Sequence, residues 1–490
     1  MTSSKSTKRA LISSTLALLM CVAMLIGTTF AWFTDTASTG GNKIVSGNLK
    51  VDIIGAHSDS HIEKLNFTKA ATTDAEAGAE ILWEPGCRYL TEGFRIANKG
   101  NLALKWKAQV NTGTTAANEG NFDLLDVIDF YLVTKAADGT ETETALDMFT
   151  GNLKKTETSD VYYIKGVMQT TAGNDYQGLT LDGISITVVA TQDTVENDSF
   201  NNQYDKDAEY PILVTTGDEL QAIVSNATAP VNIVLTNSIT TNNFVIPADK
   251  DVTLDLNGRT VTNAGSHTIL NKGHLTLTDS SADKSGQIIS LKGNTAALRN
   301  GDNAVCVVEG GTISRDGANG NTWHVVENFG KMTFNGGKVV LKNGNGFAIT
   351  NGWNYFDPGA STTHAVMEIN ALELDTDSSG IKNCRYGDLT VNDVTVTSTG
   401  YWALSNDYLG TAVINGGTLT SNSFKAVSNG AAMTVNGGTF DGTEGLFVQS
   451  YATSTVLNGG TFANMNVAAL SSYVGTGHTA QQSGTSVIIK

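Results

Sequence analysis

Five charged residues between positions 375 and 388 are where this chain could most readily carry out catalysis. The segment LELDTDSSG contains Asp375 and Asp377, and the segment IKNCRYGD contains Lys382, Arg385 and Asp388. Two carboxylates that flank a glycosidic bond can serve as its acid and base. Aspartates also cap turns, and a solvated ion pair uses the same residue types, so a catalytic and a structural interpretation both remain open.

Aromatic residues form a second candidate site, because flat rings that point outward can stack on sugar rings. Tryptophan and tyrosine also pack at the edges of a core, beneath longer loops. The segment NGWNYFDPGASTT at 351–363 is an insertion, and loops on a rigid scaffold often carry binding residues. The residues predicted to bind a ligand are Trp353, Tyr355, Tyr386, Trp402 and Tyr408.

Metal ligation has less support in the sequence. His57 and His61 in HSDSHIE are four residues apart, but they lie in a polar segment with no third ligand nearby, and no His-Glu-x-x-His motif occurs. The acidic residues between 196 and 207 lack the ordered oxygen spacing of a calcium loop. The sequence therefore predicts neither a metal nor a cofactor.

The elements that must position these residues belong to a repeat that is visible in the sequence. The phrases VEGGTI, FNGGKV, INGGTL, VNGGTF and LNGGTF recur, with degenerate copies INALEL and VNDVTV between them. The residue that directly precedes the two glycines, or the equivalent residue in the degenerate copies, is at 309, 335, 370, 392, 415, 436 and 458. The spacings are therefore 26, 35, 22, 23, 21 and 22. A recurring spacing of this size is typical of a stacked repeat architecture.

Asparagines that close short apolar runs form a second series with the same period. Serines 450 and 472 are predicted to continue it, and each repeat is interpreted as two short β runs closed by a polar or glycine corner. Equivalent asparagines of stacked coils would lie above one another and hydrogen-bond along the stack. The series consists of Asn271, Asn300, Asn328, Asn351, Asn383, Asn406 and Asn429.

Residues 211–490 are therefore predicted to form a parallel β-helix of roughly ten to twelve coils with roughly 22 residues each. A propeller would need about 40 residues or more for each blade. The repeat resembles the right-handed β-helices of the pectate-lyase-like superfamily, which implies a carbohydrate ligand or substrate. The Asn-Thr-Asp, Asp-Asp, Gly-His-Gly and Arg-Ile-Lys patterns of the pectin-cleaving hydrolases of that fold are absent.

The first residues predict export. Three basic residues precede the apolar run Ala10–Gly27, and small residues stand before a cleavage position between Ala31 and Trp32. This pattern is typical of a secretory signal peptide, here 1–31, that a signal peptidase removes. The competing interpretation is an uncleaved membrane anchor, because the run is long enough to span a bilayer.

The residues that follow resemble the TasA/camelysin family of secreted matrix-fibre proteins of Gram-positive bacteria. The resemblance is carried by the aromatic-Asp junction of Trp32, Phe33 and Asp35, by the strand VSGNLKV at 45–51, and by the segments 82–110 and 176–192. It implies a jelly-roll-like β-sandwich over 32–203 and cleavage by a SipW-type signal peptidase. It also implies self-assembly, in which the N-terminal segment of one subunit, with Trp32, Phe33 and Asp35, completes the sheet of the next.

A polar segment without periodicity, 204–210, is predicted to link the two domains. The net charge of −17 argues against nucleic acid as a partner. The expected protein is all-β, with the sandwich followed by the right-handed β-helix, and is a secreted cell-surface or matrix protein without a membrane span after cleavage. It assembles with itself and displays the β-helix for adhesion or glycan binding in a biofilm matrix. The alternative is a polysaccharide lyase or hydrolase.

Overall fold

A computed structural model describes residues 48–62, 64–68, 81, 83–112, 114–115, 122–146, 149–182, 184–193, 209–317, 323–353 and 363–490. Contacts divide the chain into two compact units, Met1–Asn48 and Leu49–Lys490, and only Asn48 of the first unit lies within the described residues. The second unit is all-β, as predicted, with antiparallel sheets followed by a parallel β-helix. The boundaries predicted for the sandwich and linker stay predictions, because 194–208 lie outside the described residues.

Two antiparallel sheets build the first domain. Strands β1, β4, β10, β3 and β2 lie side by side in one sheet, with β7 and β8 on the other side of β10, and β12, β5 and β9 form the second sheet. A short pair joins β11 and β6. The strands are β1 Val51–Gly55, β2 Phe67–Thr68, β3 Arg88–Thr91, β4 Phe94–Asn98, β5 Leu104–Asn111, β6 Thr114–Thr115, β7 Ile128–Lys135, β8 Glu141–Ala145, β9 Phe149–Leu153, β10 Tyr162–Met168, β11 Leu181–Asp182 and β12 Ser185–Gln192.

Alternation of apolar residues makes these strands amphipathic, and their inner faces meet in one core. Phe94 and Ile96 of β4 pack with Leu104 and Trp106 of β5, and all four side chains are at most 1% exposed. Burying such a side chain contributes about 1.5–3 kcal/mol. The Pro85-Gly86 turn predicted from the sequence is present, since the Cys87 N–H donates to the Glu84 carbonyl at 2.9 Å.

Three parallel sheets, named S1, S2 and S3, form the β-helix, and each coil contributes one strand to each sheet. The sequence predicted two β runs in each repeat. This number is wrong, because a coil has three strands. The strands of S3 and S1 are separated by only a few corner residues, as in VSNGAAMTV, so the sequence presents them as one run. Among the described residues S1 has 11 strands, so the coils agree in number with the prediction and extend over about 50 Å.

The strands of the β-helix are three to five residues long, apart from one pair of residues at the start of S3. S1 consists of Ile212–Val214, Val231–Leu235, Asp251–Asp255, His274–Thr278, Val305–Val308, Lys331–Phe334, Ala365–Ile369, Gly387–Val391, Thr411–Ile414, Ala432–Val435 and Ser454–Leu457. S2 consists of Ile239–Thr241, Thr260–Asn263, Gln287–Ser290, Thr312–Asp316, Lys338–Lys342, Glu373–Thr376, Thr395–Ser398, Thr418–Ser421, Thr439–Asp441 and Gly460–Phe462, with the antiparallel strands Ser486–Ile489 and Ala480–Ser483 at its end. S3 consists of Val245–Ile246, Ile269–Asn271, Leu298–Asn300, Val326–Asn328, Phe347–Asn351, Ser379–Asn383, Leu404–Asn406, Val427–Asn429 and Leu446–Val448.

Apolar side chains of equal position stack inside the β-helix from coil to coil. In S2 the second residue of nearly every strand points inward, which explains why Val, Ile, Leu and Phe recur there between polar neighbours. A single coil could not bury these side chains, but stacked coils do. The row is Val261, Ile288, Ile313, Val339, Leu374, Val396, Leu419, Phe440 and Phe462, each at most 1% exposed.

Both ends of the stack are covered. Helix α1, Gly217–Asn226, begins at the cap residue Thr216 and buries Leu220 and Val224 against the first coils. The first strand of S1, Ile212–Val214, directly precedes this helix. At the far end, helix α2, Val467–Leu470, and the antiparallel strands of S2 close the last coil.

The predicted asparagine series forms a continuous ladder in the corner between S3 and S1. From Asn271 to Asn429 each side-chain amide donates to the amide oxygen of the next coil at 2.7–2.9 Å, and all seven residues are 0% exposed. Ser450 and Ser472 do not continue it, because Asn429 stands beside Val448 and donates to Thr455 Oγ1 instead. Ser472 lies in a short 3₁₀ helix.

The asparagines of the glycine phrase form a second ladder, which is exposed, in the corner between S1 and S2. Here each amide donates to the preceding coil, and the ladder ends where Asn335 Nδ2 donates to the Glu309 carboxylate at 2.8 Å. The glycines after these asparagines permit the turn; Gly438, for example, has φ of 107°. The ladder runs through Asn335, Asn370, Asn392, Asn415, Asn436 and Asn458 with bonds of 2.7–2.9 Å.

Candidate functional site

The outer face of S3 collects the side chains with the most varied chemistry on the β-helix. The residue immediately before each ladder asparagine points outward, because side chains of a strand alternate between its two faces. The asparagine points inward, so its predecessor points to the outer face of the sheet, where Glu327, Thr350 and Ser428 are covered by their neighbours and at most 5% exposed. This outer row is Leu270, Arg299, Glu327, Thr350, Lys382, Ser405, Ser428 and Phe447.

Charges on this face are paired. The Arg299 guanidinium lies 3.0 Å from Glu327, which also accepts the indole N–H of Trp323 at 3.0 Å. Lys382 Nζ lies 3.2 Å from the Asp407 carboxylate. Glu327 is only 3% exposed, and this burial raises its pKa, although Arg299 acts in the opposite direction.

Aromatic rings line the corner through which the chain enters S3. Trp402 meets Phe424 edge-on, with ring centroids 4.6 Å apart, and lies nearly parallel to Phe447 at 6.1 Å. Lys425 Nζ lies 3.5 Å from the centre of the Phe447 ring. Trp402 is half-buried and the neighbouring Tyr401 is 58% exposed. The corner therefore presents a supported aromatic surface to solvent.

The opposite corner, through which the chain leaves S3, also carries rings. Trp353 packs on Phe329 with centroids 4.6 Å apart, and its backbone pairs with that of Arg385. The Arg385 guanidinium lies 4.7 Å from the centre of the Tyr386 ring and donates to the Tyr386 hydroxyl at 3.0 Å. Rings and cations thus follow one another along this corner.

Two exposed tyrosines extend this corner towards the C-terminal coils. Tyr408 is 45% exposed and Tyr451 is 56% exposed. The Tyr451 ring lies over Gly430, where a Cβ atom would come within 2.8 Å of the ring. Glycine at this corner is what allows the ring to lie against the backbone. The outer row of S3 is therefore a polar strip between two aromatic margins.

Three of the five residues proposed for catalysis lie on three different sheets, and Asp377 and Arg385 lie in corners. Asp375 is on the outer side of S2, where Lys342 Nζ lies 2.8 Å away, and the Asp377 carboxylate accepts the Asn343 backbone N–H at 2.6 Å. Lys382 is on S3. The structure does not bring the members of this group to one face.

The two remaining members of that group occupy separate positions. Asp388 is on S1, 2.8 Å from His364, and Arg385 lies in the corner between S3 and S1. Four of the predicted binding residues, by contrast, lie on the margins of one face, that of S3: Trp353, Tyr386, Trp402 and Tyr408. Tyr355, the assembly residues Trp32, Phe33 and Asp35, and the cleavage residue Ala31 lie outside the described residues.

Sequence reasoning missed several residues of this face, among them Glu327, Phe424 and Phe447. The sequence contained a signal for part of this face, because every residue that directly precedes a ladder asparagine belongs to the outer row. Cys306, by contrast, is a buried thiol: it is 0% exposed, and burial raises its pKa to about 12.

Within the described residues no cluster of three or more histidine, cysteine or acidic side chains could hold a metal ion. His61 Nδ1 lies 2.6 Å from the Asp52 carboxylate. In the described part of the chain, no helix has the length and apolar character needed to cross a membrane. Comparisons with protein-family models, curated proteins and solved structures found no match to this chain.

Proposed function

We propose that this protein is an exported surface or matrix protein whose β-helix is a rod that binds carbohydrate along the outer face of S3. The observation that carries the proposal is the pair of aromatic margins, with Trp402 on one side and Tyr408 and Tyr451 on the other. The rod itself is compatible with display, because it is long, capped at both ends and built from rigid stacked coils.

The chemistry of this face matches that of a sugar. Sugar rings offer apolar C–H faces that stack on aromatic rings and hydroxyl groups that exchange hydrogen bonds. Trp402 supplies a supported ring, and the half-buried Ser405 supplies a hydroxyl between the margins. Since equivalent positions in successive coils follow one another at about 4.8 Å, an extended chain of sugars could contact several coils at once.

The test is binding to a glycan panel, followed by titration of the glycans that are retained. The double variant Trp402→Ala/Tyr408→Ala should weaken binding by about tenfold or more, since truncation of central aromatic residues commonly costs more than 1 kcal/mol. Tyr131→Ala, on the antiparallel domain, is the matched control and should bind as the unaltered protein does. Retention of no glycan, or equal affinity of all three proteins, would overturn the proposal.

Export and self-assembly complete the proposal and rest on the sequence. The N-terminal apolar run supports export, and the resemblance to matrix-fibre proteins supports assembly through the first domain. Among the described residues β1 is the last named strand on its side of the sheet, and beyond it only the short segment around His61 pairs with its C-terminal half; the exposed part of such an edge can accept a strand. Electron microscopy of a protein starting at Trp32, beside one starting after Ile44, tests this: filaments in both would refute strand donation.

A polysaccharide lyase or hydrolase is not proposed as a second function. Asp375, Asp377 and Asp388 have structural partners and are distributed over two sheets. No observation on these residues favours a paired acid and base.

A further inference from the structure

We propose that Arg385, whose guanidinium lies against the Tyr386 ring, is an anion subsite that selects acidic glycans, with a carboxylate or sulfate group on the sugar as its ligand. This inference rests on the proposed function, because it adds a charge requirement to the same face. It concerns the corner through which the chain leaves S3. The aromatic margin at Trp402 is on the opposite side of that face.

Arg385 differs from the other cations of the S3 face in its partners. Arg299, Lys382 and Lys425 each have a carboxylate within 3.2 Å, namely that of Glu327, Asp407 and Glu444. Arg385 has no carboxylate within 4.0 Å among the described residues, and its guanidinium contacts the ring and the hydroxyl of Tyr386. A guanidinium so placed keeps its charge available to an external anion.

Two neighbouring donors strengthen the positive potential of this corner. The Nε–H of Arg385 and the indole N–H of Trp353 are both buried and have no acceptor among the described residues. The backbones of these two residues form an antiparallel bridge, in which the backbone N–H of Trp353 donates to the Arg385 carbonyl at 2.9 Å. Unsatisfied N–H dipoles are fixed partial positive charges, so a nearby anion is stabilised even without direct contact.

The geometry favours an oxyanion carried on a sugar. A planar guanidinium presents parallel donors that match a carboxylate or sulfate. The Tyr386 ring holds that plane in place, and the exposed Tyr408 ring in the next coil offers a surface for the sugar itself. The nearby carboxylate of Asp388 is occupied by His364, 2.8 Å away, and so does not compete for Arg385 within ion-pair distance.

The experiment compares an oligosaccharide of uronic acid with the same oligosaccharide after its carboxyl groups have been reduced to alcohols. The full chain should bind the acidic form about tenfold or more tightly, since a hydrogen bond to a charged group contributes about 1.5–3 kcal/mol. This preference should shrink at high salt, because exposed charges are screened. Arg385→Gln should lose the preference, so that the two oligosaccharides bind it with nearly equal affinity.

The control is Lys382→Gln, which removes a cation of the same face that is already paired with Asp407 and should keep the preference. Arg385→Lys keeps the positive charge but loses the paired donors of the guanidinium, so it should retain part of the preference for the acidic form. Unchanged urea-unfolding midpoints would show that the variants fold. Equal binding of the two oligosaccharides that still depends on Trp402 would refute the anion subsite and leave the proposed function standing. Absence of binding to either would refute both.

Free sulfate separates the sugar from the anion alone. It should displace the acidic oligosaccharide only at concentrations far above those of the oligosaccharide. Displacement at equal concentrations would show that the corner recognises any oxyanion, which would overturn selection of a glycan.

Discussion

Replacement of one ladder asparagine should weaken the β-helix strongly in the buried ladder and weakly in the exposed one. Asn383 is 0% exposed, donates to Asn406 Oδ1, Gly387 O and Thr411 O at 2.8–3.0 Å, and accepts from Asn351 at 2.9 Å. Asn383→Ala removes these four bonds from a place that water does not reach.

The size of the effect follows from what is left behind. Asn406 Oδ1 would be a buried acceptor without its donor, at a cost of about 1–3 kcal/mol, and the other three bonds contribute about 1 kcal/mol each. The expected loss is therefore roughly 4–6 kcal/mol. Asn415→Ala is the matched control, because Asn415 also holds two ladder bonds, at 2.7 and 2.8 Å, but is exposed. Water can replace its partners, so the control should lose about 1 kcal/mol or less.

The assay is urea unfolding, supported by hydrogen exchange of the amides in residues 379–411. A stack of repeats need not unfold in one step, so the exchange data locate the loss to the altered coil and its neighbours. Equal shifts for Asn383→Ala and Asn415→Ala would refute the reasoning, since burial is the property in which the two positions differ. A loss below about 1 kcal/mol for Asn383→Ala would refute it as well.

Two further predictions concern the backbone and acid stability. Gly417→Ala should cost more than Gly477→Ala in urea unfolding, because both have positive φ, 96° and 86°, but only at Gly417 would a Cβ meet a backbone oxygen, at 2.6 Å; equal losses would contradict this. Burial lowers the pKa of His267 and His324 to about 4, so the folded state excludes protons that the unfolded state binds below about 6.5. Stability should therefore fall as the pH drops from 6.5 towards 4. The double variant His267→Gln/His324→Gln should lose much of this pH dependence, and glutamine can still accept hydrogen bonds from the backbone N–H groups of Ala296 and Phe347. An unchanged pH dependence in the variant would show that other groups cause it.

The β-helix was predictable because its stabilising groups are periodic. The glycine phrase and the ladder asparagines return at nearly constant spacing, and both series occupy equivalent positions in successive coils, as predicted. The third strand was not visible, because a corner such as Asn429-Gly430 is too short to separate two β runs. Ser450 was assigned to the ladder by spacing alone, but the ladder has already ended at Val448.

The binding face was only partly predictable, and for a physical reason. Trp353, Tyr386, Trp402 and Tyr408 could be selected by residue type, since rings near corners are conspicuous. Glu327 could not, because its importance comes from contacts with Arg299 and Trp323 that depend on which coils are neighbours. The order of strands in the antiparallel domain is likewise set by pairings between distant segments, such as β10 with β7 and β3.

The buried ladder explains how one architecture can carry so varied a face. Each asparagine fixes its corner through its own amide; Asn328, for instance, exchanges hydrogen bonds with the backbone of Gly330 at 3.2 Å. The one or two residues after the asparagine point outward from a backbone that is already held, and there the chain places Phe329, Trp353, Arg385 and Tyr408. Stability is thus supplied by one side of the corner and recognition by the other. It follows that Tyr408→Ala should leave the urea-unfolding midpoint nearly unchanged while it weakens binding, and a large loss of stability in that variant would show that the two roles are not separate.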